Sequence, residues 1–361
     1  MNKELMGALD ELERENNISK ETLLDAIEQS LIQAYKNHFG KADNVHVTIN
    51  RETGDFSVYA DRRVVEFVED PAEEVSLVEA QKQNTNAEVG DILKVPVHSD
   101  KFGRIATQNA KNVILQKIRE EERKVLFDQY HGNEKEVVTG IVQRVVGHNV
   151  SVNLGKADAI LAENEQVKGE TFKPTERIKV YILEVKDTPK GPRILVSRTH
   201  PGLVKRLFES EVAEVKDGTV EIKSIAREAG SRTKLAVWSN DPDVDPVGAC
   251  VGVNGARVSA IVNELRGEKI DIINWDENPA ILIENALSPA KVIAVMADPD
   301  EKTALVVVPD YQLSLAIGKE GQNARLAARL TGFKIDIKSE TQARESGDFY
   351  DYDEDDDEYY E

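Results

Sequence analysis

Leu315-Ala316-Ile317-Gly318-Lys319-Glu320-Gly321 leads through Leu330-Thr331-Gly332 into Lys334-Ile335-Asp336-Ile337, and the same order of pieces stands earlier in the chain. There Ala249-Cys250-Val251-Gly252-Val253-Asn254-Gly255 leads through Leu265-Arg266-Gly267 into Lys269-Ile270-Asp271-Ile272. The offset is 66 residues from Gly252 to Gly318 and 65 from Lys269 to Lys334, so one unit stands twice with a single residue lost. Each copy is preceded by paired strand patterns, Val220 to Ala226 with Leu235 to Ser239, and Val292 to Met296 with Ala304 to Val308. The unit therefore reads helix, strand, strand, helix, Gly-x-x-Gly, helix, strand.

A Gly-x-x-Gly turn between two short helices has a definite use. Missing Cβ atoms let a phosphodiester approach the backbone, and the amides opening the next helix face the phosphates. In the second copy Lys319 and Glu320 lie inside the turn, and Gln322, Asn323, Arg325 and Arg329 follow on the helix, which offers cations and amide groups to a nucleic-acid backbone. This is the KH mode of holding about four single-stranded nucleotides. The first copy has Val253 and Asn254 in its turn, and its nearest charge is Arg257 on the following helix, so a weaker grip on phosphate is expected there. A KH fold whose groove has lost its ligand is the alternative for both copies. One Gly-x-x-Gly arises by chance in many chains, but two at matched spacing with the same following strand form a specific signal.

Upstream of the repeat, residues 131–199 carry an all-β texture: Val137 to Val142, Val150 to Gly155, Ile178 to Val185 and Ile194 to Val196. Five or so short strands with glycine turns suit a small closed barrel of the OB type, which could bind nucleic acid, protein or nothing. The N-terminal third mixes patterns. A helix runs from Ser19 through Leu23, Ile27, Leu31 and Ala34 to Gly40, with Ser19 placed as N-cap. Val45, Val47, Ile49 and Phe56, Val58, Ala60 flank a hairpin turn ending at Thr53-Gly54, with further strand at Val64 to Val68 and Ile92 to Val97. A long helix is expected from about Arg104 to Gln129, with Ala106, Ala110, Val113, Ile114, Ile118 and Val125 on one side. This is an α+β head.

The net charge of −20 argues at first against a polyanionic partner, but Glu345 to Glu361 holds ten acidic and no basic residues, so the rest carries −10. Electrostatics must be read locally, and the low-complexity acidic tail is expected to be disordered. The single cysteine, Cys250, excludes a disulfide framework and points to a reducing compartment. No window approaches the ~20 apolar residues of a membrane span, and no signal core opens the chain. Gly318-Lys319 is followed by Glu320 and lacks the upstream glycine of a phosphate-binding loop, and Cys250 stands where a dinucleotide fingerprint needs its first glycine. His38, His46, His98, His131, His148 and His200 are scattered without metal spacing, and Ser231 lacks a nucleophile elbow. No catalytic constellation and no cofactor are implied.

The order of head, barrel and two KH units resembles the NusA family of bacterial transcription termination and antitermination factors, over essentially the whole chain to about Ser339. The resemblance rests on Asp100-Lys101-Phe102-Gly103-Arg104-Ile105-Ala106 with Ala110-Lys111, on Gly191-Pro192-Arg193-Ile194 to Ser197-Arg198, on Val247-Gly248-Ala249-Cys250-Val251-Gly252, and on Ile317 to Ala328. It implies a multidomain α+β chain: an RNA polymerase-binding head over 1–130, an S1-type OB barrel over 131–200, tandem type II (α/β) KH domains over 201–278 and 279–344, and an acidic tail over 345–361. It implies a cytoplasmic, monomeric RNA-binding elongation factor, not an enzyme, that works on pausing, termination and antitermination. Its partners would be core RNA polymerase, nascent single-stranded RNA and other elongation or antitermination factors, with no membrane. RNA contacts are then expected at Gly252, Val253, Asn254, Gly255, Arg257, Gly318, Lys319, Glu320, Gly321, Gln322, Asn323, Arg325, Arg329 and Arg198. Lys101, Arg104 and Lys111 would face polymerase or a nascent hairpin, or form a solvated basic face. Asn254 departs from the family, where a basic residue usually stands. Two rivals remain: an appendage of an RNA-degrading phosphorolytic enzyme, for which this chain lacks a large catalytic core, and a scaffold with silent RNA modules.

Overall fold

The computed structural model describes residues 6–7, 9–10, 13–14, 19–39, 44–51, 55–96 and 100–347, with backbone alone at 37–39, 56, 100–107 and 110. The acidic stretch from 348 onward, the hairpin tip at 52–54 and Val97 lie outside the described residues. Two compact units divide the chain at Asp128 and Gln129.

In the first unit, helix α1 (Lys20–Phe39) buries Leu23, Leu24, Ile27, Leu31, Ala34 and Tyr35, the stripe its apolar spacing dictates. It packs on Val45, Ile49, Val58 and Ala60 of β1 (Val45–Ile49) and β2 (Phe56–Val65), paired antiparallel as the alternation predicts. The stretch Val64 to Val68 is no separate strand, because β2 runs unbroken to Val65 and Phe67 is 84% exposed. Val64 instead joins a second small core with Val75, Ala80, Ala87 and Val95. That core is built by β3 (Glu74–Ser76), α2 (Leu77–Gln83) and β4 (Ile92–Pro96), of which the first two are too short to leave a period in the sequence. The long helix α3 spans Asp100–His131, and its Val113, Ile114 and Ile118 complete the first core.

The second unit opens with a closed barrel, β5-β6-β7-β9-β8, from β5 (Val137–Val146), β6 (Asn149–Asn153), β7 (Asp158–Leu161), β8 (Arg177–Lys186) and β9 (Arg193–Ser197). A Cβ on Gly140 would stand 2.3 Å from Val152 Cγ1, so glycine lets β5 close on β6. Register shifts at Val142/Arg144 and Ile182/Glu184 bend the strands around the corner.

Two units of one topology follow. The first has α4 (Pro201–Glu211), α5 (Ala213–Lys216), β10 (Val220–Glu228), β11 (Arg232–Ser239), α6 (Pro246–Val251), α7 (Ala256–Glu264) and β12 (Lys269–Asn274). The second has α8 (Pro279–Ala286), β13 (Ala294–Asp298), β14 (Thr303–Val308), α9 (Leu313–Ile317), α10 (Gln322–Thr331), β15 (Lys334–Ser339) and α11 (Glu340–Ser346). In each, the middle strand pairs antiparallel with the strand before it and parallel with the Lys-Ile-Asp strand, which is the order the repeat predicts.

Strand β11 is buried on both faces. Leu235 and Val237 point into the core of their own unit, while Ala236, with Ala226 and Ile273, joins the core of the next. The two KH units therefore share apolar surface.

Candidate nucleic-acid interface

The two Gly-x-x-Gly turns adopt one backbone path. Gly252 and Gly318 sit at φ 75°, ψ 173° and φ 76°, ψ 173°, a region essentially confined to glycine. Asn254 and Glu320 follow at φ 53° and 55°, and Gly255 and Gly321 at φ 75° and 74°. Asparagine tolerates the left-handed region far better than a long basic side chain, which gives Asn254 a conformational reason for its place. Neither α7 nor α10 has a side-chain cap at its N-terminus, so the first-turn amides are offered to an outside acceptor.

Lys319 and Glu320 are exposed, as are Val253 and Asn254. Lys319 Nζ has no ion-pair partner among the described residues, which leaves it available to phosphate. Leu315 and Ile317, 44% and 37% exposed, place apolar surface beside the second turn. Amides, a cation and an apolar shelf at one edge can hold a phosphate and support a base.

The remaining expected contacts are engaged within the protein. Asn323 is 4% exposed, and its Nδ2 donates to Leu287 O and Ala316 O at 3.0 Å, so it ties α10 to α8 and α9 and does not face a ligand. Arg198 is likewise corrected. It is 1% exposed, and its Nε and Nη2 donate to Glu170 at 2.7 and 2.6 Å. Its Nη1 donates to Lys179 O and its Nη2 to Glu264 O, so this guanidinium fastens the barrel to the first KH unit. Arg257 packs over Gly252 and donates to Glu214 and to Ala249 O, at 3.0 and 2.7 Å. Gln322, Arg325 and Arg329 meet Glu228, at the end of β10. The Arg325 hydrogen bond holds the Glu228 carboxyl below its usual range against the opposing effect of burial. Glu228 escaped the sequence reading because its partner stands 97 residues away. Lys111 is exposed on α3, while the side chains of Lys101 and Arg104 lie outside the described residues. Among the described residues no cluster could hold a metal ion, and no helix is long and apolar enough to cross a membrane.

Comparison with known proteins covers nearly the whole chain. Residues 4–124 match the NusA N-terminal domain, 132–197 the S1 RNA binding domain, 198–275 the NusA-like first KH domain and 279–345 the NusA-like second KH domain. A "Transcription termination/antitermination protein NusA" of Bacillus subtilis is 57% identical over 96% of this chain and 94% of its own length. The chain belongs to the NusA family. NusA proteins of Halalkalibacterium halodurans and Thermus thermophilus are 55% and 42% identical, over 96% and 93% of this chain and 91% and 89% of theirs. The NusA family models fall on the elements in the order described, and both Gly-x-x-Gly turns lie within the NusA-like KH matches.

Proposed function

We propose that this protein is a transcription elongation factor that binds core RNA polymerase and nascent single-stranded RNA, and so adjusts pausing, termination and antitermination together with other such factors. The observation that carries the RNA part is the second turn: Lys319 exposed and unpaired among the described residues, Gly321 open on one side, and an uncapped helix behind it. The first turn has the same backbone and no cation, so it contributes amide and apolar contacts with less charge.

The names of the relatives support the transcriptional setting. A head over 1–130 that docks on polymerase, with Lys101, Arg104 and Lys111 toward polymerase or a nascent hairpin, accords with the match over 4–124. A barrel over 131–200 and KH units over 201–278 and 279–344 receive the RNA, and the factor acts as a cytoplasmic monomer without catalysis of its own.

The test uses the intact chain with Lys319→Asp and Glu320→Asp. Aspartate tolerates the left-handed backbone at 320, so the unit folds, while two carboxylates stand where a phosphate should sit. Single-stranded RNA affinity should fall by more than tenfold at an unchanged melting temperature, and capture of core polymerase should persist. Undiminished RNA affinity refutes the RNA reading, and failure to capture polymerase refutes the role of the head.

A further inference from the structure

Three side chains of α10 converge on one carboxylate of the neighbouring unit. Arg325 Nε and Nη2 donate to Glu228 Oε1 and Oε2 at 2.6 and 3.2 Å, and Gln322 Nε2 donates to Oε2 at 2.9 Å. Arg329 Nη1 lies 3.7 Å from Oε1, and Gln322 also donates to Ser231 Oγ at 2.7 Å. A forked guanidinium accepts carboxylate and phosphate in the same bidentate geometry. Two guanidinium groups and an amide around one anion are the donor set of a phosphate seat.

The cluster adjoins the turn. Arg325 Nη1 donates to Glu320 O at 3.1 Å and lies 3.9 Å from where a Cβ of Gly321 would stand. It is also open to solvent, since the side chains of Arg325, Arg329 and Glu228 are 44%, 56% and 21% exposed. An ion pair this exposed holds its partners weakly.

We propose that Gln322, Arg325 and Arg329 form a second phosphate seat flanking the Gly-x-x-Gly turn, occupied in the RNA-free protein by Glu228 and vacated when a phosphodiester of bound RNA displaces that carboxylate. The inference rests on the RNA reading of the turn given above. Displacement needs a side-chain swing and no parting of the units, because Ala226 on the same strand stays in the shared core. Glu228 thereby sets affinity: RNA must compete with a tethered anion, and weak or short strands are penalised most. A clasp that only pins the two KH units together makes the opposite prediction for the loss of Glu228.

The experiment measures single-stranded RNA affinity against salt for the intact chain and for Glu228→Gln, Arg325→Gln and their combination, with the Lys319→Asp/Glu320→Asp chain alongside. Glu228→Gln should bind RNA about 3- to 5-fold tighter, the scale of one exposed charge pair, with a log–log salt slope steeper by about 0.7 for the added phosphate contact. Arg325→Gln should bind more weakly and should cancel the gain of Glu228→Gln. Should Glu228→Gln fail to fold, Glu228→Asp, which draws the charge back from the fork, should give a smaller gain. Unchanged or weaker RNA binding in a folded Glu228 variant overturns the proposal. If Lys319→Asp/Glu320→Asp loses RNA at the same time, the turn stands and only the seat falls. If it keeps full affinity, the seat falls together with the RNA reading.

Discussion

Gly318 stands at φ 76°, ψ 173°, with Asn323 Cβ 2.8 Å from where its own Cβ would lie, whereas Gly321, at φ 74°, ψ 14°, meets nothing nearer than Arg325 Nη1 at 3.9 Å. The same letter serves different needs. Gly318→Ala must leave a glycine-only backbone region, at about 1–3 kcal/mol, and push aside an asparagine that holds two buried carbonyls. Gly321→Ala faces only left-handed strain, about 1–2 kcal/mol. Thermal melts of the intact variants should rank Gly318→Ala below Gly321→Ala and both below the parent chain; equal melting would contradict the assigned roles. Asn323 and Arg198 carry the lesson of this scale. Both belong to recognisable motifs and have polar groups suited to RNA, but their burial is set by partners that no single sequence displays. Lys319 was legible because a cation inside a glycine turn has no packing to do there.

At the scale of elements, the repeat was readable because each copy keeps its own punctuation, a glycine pair and a Lys-Ile-Asp-Ile strand. Strand β7, with four residues, and strand β3, with three, left no alternation to count. The junctions were invisible for another reason: their charges pair across the fold. Arg227 and Glu268, each 1% exposed, are joined by two hydrogen bonds of 2.8 and 2.9 Å, and Thr233 and the Gly230 amide add two more to the same carboxylate. Burial pushes the Glu268 carboxyl up, but Arg227, Thr233 and Gly230 together hold it below its ordinary value; Asp271 behaves alike, with burial outweighed by Arg232 and Lys234. Both carboxyls are depressed in the folded state. Their stabilisation is therefore complete above the unfolded value, about 4, and is lost as pH falls through the folded values below it. The melting temperature should drop steeply on acidification below about pH 4, and Glu268→Ala should flatten that dependence. At neutral pH Glu268→Ala should cost about 3–5 kcal/mol, because it strands a buried guanidinium. A parallel pH profile for the variant would remove Glu268 from the account.

For the whole molecule, the charge of −20 is a poor guide to its partner. Arginines of the second unit unit as a group are answered by carboxylates: Arg227 by Glu268, Arg232 by Asp271, Arg325 by Glu228. What remains for an RNA strand is small and local, an exposed lysine and two turns of the same shape. The measurement that tests this most directly is ultraviolet crosslinking of single-stranded RNA to the intact protein, with the modified peptides mapped. Crosslinks should concentrate on residues 313–322, with a weaker set on 251–256. Crosslinks that spare both turns and fall on the barrel or the head would contradict the account.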